Sequence, residues 1–347
     1  MTGVTALGPW PGKRVLEAQR TVLGDLTDVP DGVEGLPVAL QLSARGPEAS
    51  SVARTAALLT DMPIELGTHG WKLADRPGAD LGRVRALMRE DLDALAVAGH
   101  DYSGPLVVSV RGPWTLAAIL YLARGDRVLS DTGASRDLAA SLADGIGGLL
   151  GALRTAVPGA QPVVVLREPM LPDVLAGTVA TFSGHSRIPA RTREEATAGL
   201  ATVVDAARSA GAARVVAHGG VRFASRSVKA LVGSGADGVG LAAASLSDVQ
   251  WEQVAAMVEA GRQMWFGLPQ EKHGRRTDAA QVARLVAAPW RRVGLPARGL
   301  ADVVVHSETS GSVTGSEVVH YKAVDVRARL ATAIHVAAEL AERATDD

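Results

Sequence analysis

The chain has 347 residues, enough for one large core, and a barrel of alternating strands and helices is a common way to build one core from that length. Hydrophobic residues make up 47% and charged residues 21%, while 36 basic against 37 acidic side chains leave a formal net charge of -1; with aromatic residues at only 3%, neither nucleic acid nor an anionic membrane surface is expected as a partner. No apolar run approaches the roughly 20 residues of a membrane span, the opening residues Met1 to Arg14 lack the apolar core of a signal peptide, and cysteine is absent, so the expected location is the cytoplasm and disulfides, thiol nucleophiles and cysteine-ligated zinc sites are excluded.

Short β-branched runs alternate along the chain with longer stretches of helical period, the pattern of repeated βα units around a parallel sheet. Eight strands are predicted, at Val38 to Leu42, Pro63 to Leu66, Leu106 to Val110, Val163 to Leu166, Arg214 to Ala217, Gly238 to Ala242, Met264 to Leu268 and Val303 to Val305. Helices are predicted between and after them, at Glu48 to Thr60, Leu81 to Ala98, Ala134 to Ala156, Arg193 to Ser209, Ser225 to Leu231, Ser247 to Glu259, Asp278 to Arg292 and Glu317 to Arg343. Eight such units predict an α/β fold, a single (β/α)8 TIM barrel over residues 1–347, with no linker long enough to mark a second domain. An open doubly wound sheet is the alternative, because periodicity does not establish closure.

In a barrel of this kind the residues just past the carboxyl ends of the strands surround the reaction site. That rule selects Ser43 and Arg45, Arg111, Glu168, His218, the loop residues Gln270, Glu271 and His273, and finally His306 and Glu308. Each has a plainer reading beside it. Glu168 before Pro169 can end a strand and cap a helix. Arg111 precedes Gly112 and Pro113, a strand-to-helix turn whose free N–H groups suit an anion, with Arg111 as a second partner for it. Arg45 in SARGPEAS fits either a carboxylate clamp or surface solvation, and Trp71 either lines the pocket or pins its own loop. The string Gly233 to Gly238 matches G-x-G-x-x-G as text, but it closes a helix and enters a strand, the reverse of a dinucleotide fingerprint. Phosphate-loop, nucleophile-elbow and H-E-x-x-H motifs are absent.

Several segments, in order along the chain, resemble one family. They are LGPWPG at Leu7 to Gly12, LSARGPEASSVART at Leu42 to Thr55, GWKLADRPG at Gly70 to Gly78, GPWTLA at Gly112 to Ala117, VVVLREPMLPDVLAG at Val163 to Gly177, VVAHGG at Val215 to Gly220 and VVVHSETSG at Val303 to Gly311. Together they resemble the catalytic barrel of cobalamin-independent methionine synthase, within the superfamily that also holds uroporphyrinogen decarboxylase. The resemblance implies a barrel, a small-molecule substrate of amino-acid or folate type at the strand tips, and transfer of a methyl group from methyl-tetrahydrofolate to the thiol of homocysteine. It implies Glu168 and His218 as catalytic residues, with Ser43, Arg45, Arg111 and Trp71 around the substrate. Where the family has Asp-Glu-Pro, Arg167 replaces the aspartate.

The family also implies zinc, which binds the acceptor sulfur and holds it as the reactive thiolate. Its ligands are a histidine and a cysteine after the fifth strand, a glutamate, and a cysteine after the last strand. Here His218 takes the histidine position, Gly220 stands where the first thiol would be, and the second falls near Thr309 or Ser310. A rebuilt metal site would draw on His218, His306 and Glu308, since imidazole and carboxylate are legitimate zinc ligands. Three functions remain open at this point: a methyltransferase with an altered metal site, a non-catalytic barrel that binds a small ligand, and a metal-independent enzyme like uroporphyrinogen decarboxylase.

Overall fold

The computed structural model describes residues 1–220, 225–269, 278–308 and 323–346. Eight parallel strands form the main sheet: β1 (Thr2–Leu7), β2 (Val33–Gly35), β5 (Gly104–Arg111), β6 (Ala160–Arg167), β7 (Arg214–His218), β8 (Gly238–Ala242), β9 (Gln263–Gly267) and β10 (Val304–Glu308). Their order is β2-β1-β10-β9-β8-β7-β6-β5. The two ends of that order meet, because the chain leaving β2 makes a parallel bridge from Val38 to Val107 of β5. The Ala39 N–H donates to the Val107 carbonyl at 2.9 Å and the Val107 N–H to the Pro37 carbonyl at 2.7 Å. The predicted (β/α)8 barrel is therefore the observed architecture, and the open sheet is not.

Two predicted strands are corrected. The run at Pro63 to Leu66 is not a barrel strand: β3 (Ile64–Gly67) pairs antiparallel with β4 (Gly70–Leu73) as a separate hairpin. A two-residue turn between glycines returns the chain at once, which a parallel crossover cannot do. The strand that takes its place in the count is β1, which carries two threonines and lacks apolar alternation. It is buried along its whole length, because the Thr2 hydroxyl donates to the Leu300 carbonyl and the Thr5 hydroxyl to the Leu36 carbonyl. At Val38 to Leu42 only Val38 continues the ladder, and the chain turns into a short 3-10 segment at Ser43–Arg45.

The helices close the outer layer. They are α1 (Val15–Thr27), α2 (Ser51–Ala56), α3 (Ala79–Ala98), α4 (Pro113–Ile119), α5 (Thr132–Ala156), α6 (Leu171–Ala176), α7 (Arg193–Ser209), α8 (Ser225–Gly233), α9 (Asp248–Glu259), α10 (Ala279–Arg292) and α11 (Ala323–Ala344). Local chemistry sets their starts: Thr192 and Glu195 form a reciprocal capping box at α7, and Asp131 caps α5 by accepting from the Ala134 N–H. One face of α7 buries Ala196, Leu200, Val203, Val204 and Ala207 at three- and four-residue spacing, against the sheet. The longest predicted helices hold, whereas Glu48 to Thr60 shrinks to α2 because a 3-10 turn at Pro47–Ala49 occupies its start.

One buried ion cluster fastens this outer layer to the second βα connection. Asp91 of α3 accepts a hydrogen bond from Arg45 Nη2 on Oδ1 and forms an ion pair with Arg54 Nη1 through Oδ2, both at 2.5 Å, and its side chain is only 7% exposed. Arg45 also reaches the exposed Glu90 at 3.4 Å. Burial lowers the pKa of Arg54 and the charge of Asp91 raises it, so the carboxylate is what makes two buried guanidinium groups tolerable here. Asp91→Asn keeps the shape and removes the charge. We expect a loss of about 3–5 kcal/mol in unfolding free energy by urea denaturation, and a loss under about 1 kcal/mol would refute the role given to the cluster.

Candidate active site

The strand tips carry one row of residues in register: Arg111 of β5, Arg167 of β6, His218 of β7 and Gly240 of β8. Neighbours in register on parallel strands face the same side of the sheet. From the other direction, His306 of β10 is in register with Gly267 of β9. Strands β8 and β9 separate the two histidines, yet His218 Nε2 and His306 Nε2 lie 3.0 Å apart. Two residues so far apart along a curled sheet meet only on its concave side, so this row faces the barrel interior.

Glycine at two positions allows the meeting. A Cβ on Gly240 would stand 2.1 Å from His218 Cδ2, and one on Gly267 would stand 3.1 Å from His306 Cε1. Each ring lies over a strand that has no side chain at that level. Both histidines are fully buried. Burial first, and then the charges of His306, Arg167 and Arg111, pull the pKa of His218 well below its usual 6.5. His306 is lowered to about 3, by burial and then by the charge of Arg167. Both rings are therefore neutral at pH 7.

Glu168 follows β6 and is also fully buried. Its Oε1 accepts from the Trp114 N–H at 2.9 Å, and its Oε2 from the Thr115 N–H at 2.7 Å and the Thr115 hydroxyl at 2.6 Å. It thus caps α4, whose own N-cap residue, Gly112, has no side chain to do so. The approach is close enough that a Cβ on Gly112 would fall 2.3 Å from Glu168 Oε1. Burial raises the Glu168 pKa to about 7, outweighing those hydrogen bonds and the charge of Arg111. Of the two readings open to Glu168, capping is thus met, and the helix it caps is the one after the preceding strand.

Arg111 is 5% exposed, and its pKa is lowered by burial to about 10, so it stays charged at neutral pH. Its Nε donates to Ser51 Oγ at 3.0 Å and its backbone N–H to Thr55 Oγ1 at 3.0 Å, both from α2. Among the described residues no carboxylate lies within ion-pair distance of its guanidinium, and its terminal nitrogens have no acceptor. Burial and the charge of Arg111 lower Arg167 to about 9.

The structure thus brings Arg111, His218, His306 and Glu168 to one end of the barrel. It takes Arg45 elsewhere, onto Asp91 of α3, and packs Trp71 of β4 into the apolar core at 7% exposure. Ser43 opens the 3-10 segment after the second barrel strand, half-buried, with its carbonyl accepting from Gly46 N–H. The backbone of Glu308 ends β10, but its side chain lies outside the described residues, as do Gln270, Glu271, His273, Thr309 and Ser310. Sequence reasoning missed Ser51, Thr55, Thr115, Gly240 and Gly267. Only the two glycines carried a signal, since glycine inside a strand often marks a close approach.

No model of a known protein family matches the sequence, and no curated protein matches it. Among solved structures, the chain is similar to a B12-independent methionine synthase from Shewanella sp. W3-18-1 in complex with selenomethionine. That match has a TM-score of 0.54 at 12% identity and covers 97% of this chain and 96% of that one. Weaker matches include an exo-β-agarase, with a TM-score of 0.38 at 10% identity over 79% of this chain and 49% of that one. The carboxyl transferase domain of Rhizobium etli pyruvate carboxylase gives a TM-score of 0.26 at 12% identity over 72% and 43%. At this identity the first likeness is one of fold.

Glu168 gives the site a signature in pH. Its folded pKa of about 7 lies above the ordinary 4.5, so the folded state holds the proton more tightly than the unfolded chain. Its contribution to stability is full below pH 4.5 and is lost as the pH rises through about 7. The histidines run the other way, losing stability as the pH falls from 6.5 towards about 3 for His306. Glu168→Gln removes the first dependence alone. Between about pH 5 and pH 8 the variant should gain on the wild type by on the order of 3 kcal/mol in urea denaturation; parallel profiles would refute the raised pKa.

Proposed function

We propose that the mouth of this barrel binds a small molecule through its carboxylate, an amino acid being the simplest ligand of that class. The observation that carries the reading is Arg111. Its Nε is tied to Ser51 and its main chain to Thr55, so the guanidinium is held in place, while its terminal nitrogens meet no acceptor among the described residues. A buried, fixed guanidinium of this kind matches a carboxylate in two parallel hydrogen bonds. The neutral histidines beside it add donors and acceptors without adding charge.

The methyl transfer that the sequence resemblance implies needs a thiol made anionic by zinc, and the described residues do not fit that centre. The two Nε2 atoms at 3.0 Å are near the roughly 3.3 Å at which a tetrahedral zinc holds two nitrogens, so spacing alone does not decide. The donor set does. Gly220, in the first thiol position, has a φ of 75°, and a Cβ there would lie 3.0 Å from both Cα and Cβ of Pro169. Among the described residues no group of three or more histidine, aspartate or glutamate side chains is placed to hold a metal. Arg111 and Arg167, whose charges disfavour a proton on His218, would disfavour a dication in the same way. On this reading the barrel binds its ligand without a thiol-activating zinc.

L-methionine is the natural probe, selenomethionine being the ligand of the similar barrel. In calorimetric titration L-methionine should bind, and 3-(methylthio)propylamine, the same molecule without its carboxylate, should not. Arg111→Met should weaken L-methionine on the order of 10- to 100-fold, as for a lost charge-assisted hydrogen bond. Equal affinity for the two compounds, or no heat with L-methionine, would overturn the proposal.

A further inference from the structure

The histidine bridge fixes more than the positions of two rings. The Gly220 N–H donates to His218 Nδ1 at 3.0 Å, so that nitrogen is an acceptor and carries no proton. A neutral His218 then has its proton on Nε2. That proton can point only along the 3.0 Å contact to His306 Nε2, which must accept it. A neutral His306 is left with its own proton on Nδ1. One backbone amide thus sets the tautomer of both rings in turn.

The last position in this chain is unusual. His306 Nδ1 is buried and has no hydrogen-bond partner among the described residues. The adjacent Ser307 backbone favours a proton on the ring, but no acceptor meets hydrogen-bond geometry at Nδ1. A buried N–H without an acceptor is costly, and such a group at a site of convergent polar residues calls for a partner that completes it. The first donor in the chain is held firmly: Gly220 takes its left-handed φ of 75° against Pro169, and the Glu168 N–H donates to the His218 carbonyl at 2.7 Å.

We propose that His306 is a ligand-binding residue whose Nδ1–H donates to an oxygen of the bound molecule, the tautomer being locked by the relay from Gly220 through His218. This rests on the carboxylate-binding reading of the same mouth and specifies it: the carboxylate held by Arg111 must also present one of its oxygens to His306. A ligand with a donor in that place would meet a second N–H and be rejected.

The relay is directly visible by nuclear magnetic resonance of protein labelled with 15N at histidine. In the free protein at about pH 7, His218 should show the Nε2–H form and His306 the Nδ1–H form, and saturating L-methionine should shift the His306 Nδ1–H signal. His306→Phe should weaken L-methionine on the order of 10-fold or more; the spectra of the wild type stand whether or not that variant folds. A His306 in the Nε2–H form, or an Nδ1–H unmoved while calorimetry records binding, overturns the inference and leaves the Arg111 reading intact. Stoichiometric zinc taken up through both Nε2 atoms also overturns it, because the proton between them could not then exist. Absence of any methionine binding removes both readings together.

Discussion

Two glycines on adjacent strands, Gly240 of β8 and Gly267 of β9, are the constraint on which the site depends. Strands β8 and β9 lie between the histidines, and any Cβ at Gly240 would occupy the position of the His218 ring. With those positions open, rings from β7 and β10 reach across the concave face and share a hydrogen bond. Barrel interiors are normally filled by layers of branched side chains. Here the tips carry two imidazoles, two arginines and two glycines, over interior-facing apolar residues that include Val165, Val216 and Val304.

Burial then sets the charge of each group, and the magnitudes decide which state wins. Three hydrogen bonds and a nearby arginine favour the ionised form of Glu168, but desolvation is larger and brings its pKa to about 7. For the histidines desolvation and the arginine charges act together, and both rings stay neutral. For Arg111 and Arg167 the lowered values of about 10 and about 9 still lie above neutral pH. Glu168 meanwhile ties the ends of β5 and β6 to the start of α4, so the carboxylate that holds the scaffold lies next to the cation that the ligand reading uses.

The sequence carried the fold well and the site only in part. Strands β5 to β10 are legible because buried parallel strands are continuous runs such as Val163 to Leu166, closed by a polar residue. Strand β1 is illegible for the opposite reason: its threonines are buried, and the carbonyls of Leu36 and Leu300 that satisfy them are far along the chain. The strand-tip rule finds Arg111, Glu168, His218 and His306, because position along a strand is a local property. It also selects Arg45, whose partner Asp91 is supplied by a helix some forty residues later. Which tip side chain turns inward and which turns to a neighbouring helix is a tertiary fact. Likewise, nothing in the run VVVLREPMLP tells that Glu168 caps a helix begun about fifty residues before it.

Relative to the zinc pattern that the sequence resembles, the described strand tips reverse the sign of the local charge. Thiolate ligands would bring negative charge to the ends of β7 and β10, and a dication would answer it. This chain has no cysteine at all, has glycine at 220, and sets Arg111, Arg167 and two neutral imidazoles in one layer. Gly220 is not simply a missing ligand there. Its N–H is the donor that orients His218, and its left-handed backbone, pressed against Pro169, disfavours any side chain there. A side chain at that position would strain the left-handed turn and press on Pro169, and the amide that orients His218 belongs to the same turn, so a thiol at 220 and the hydrogen bond to His218 make competing demands on one backbone conformation.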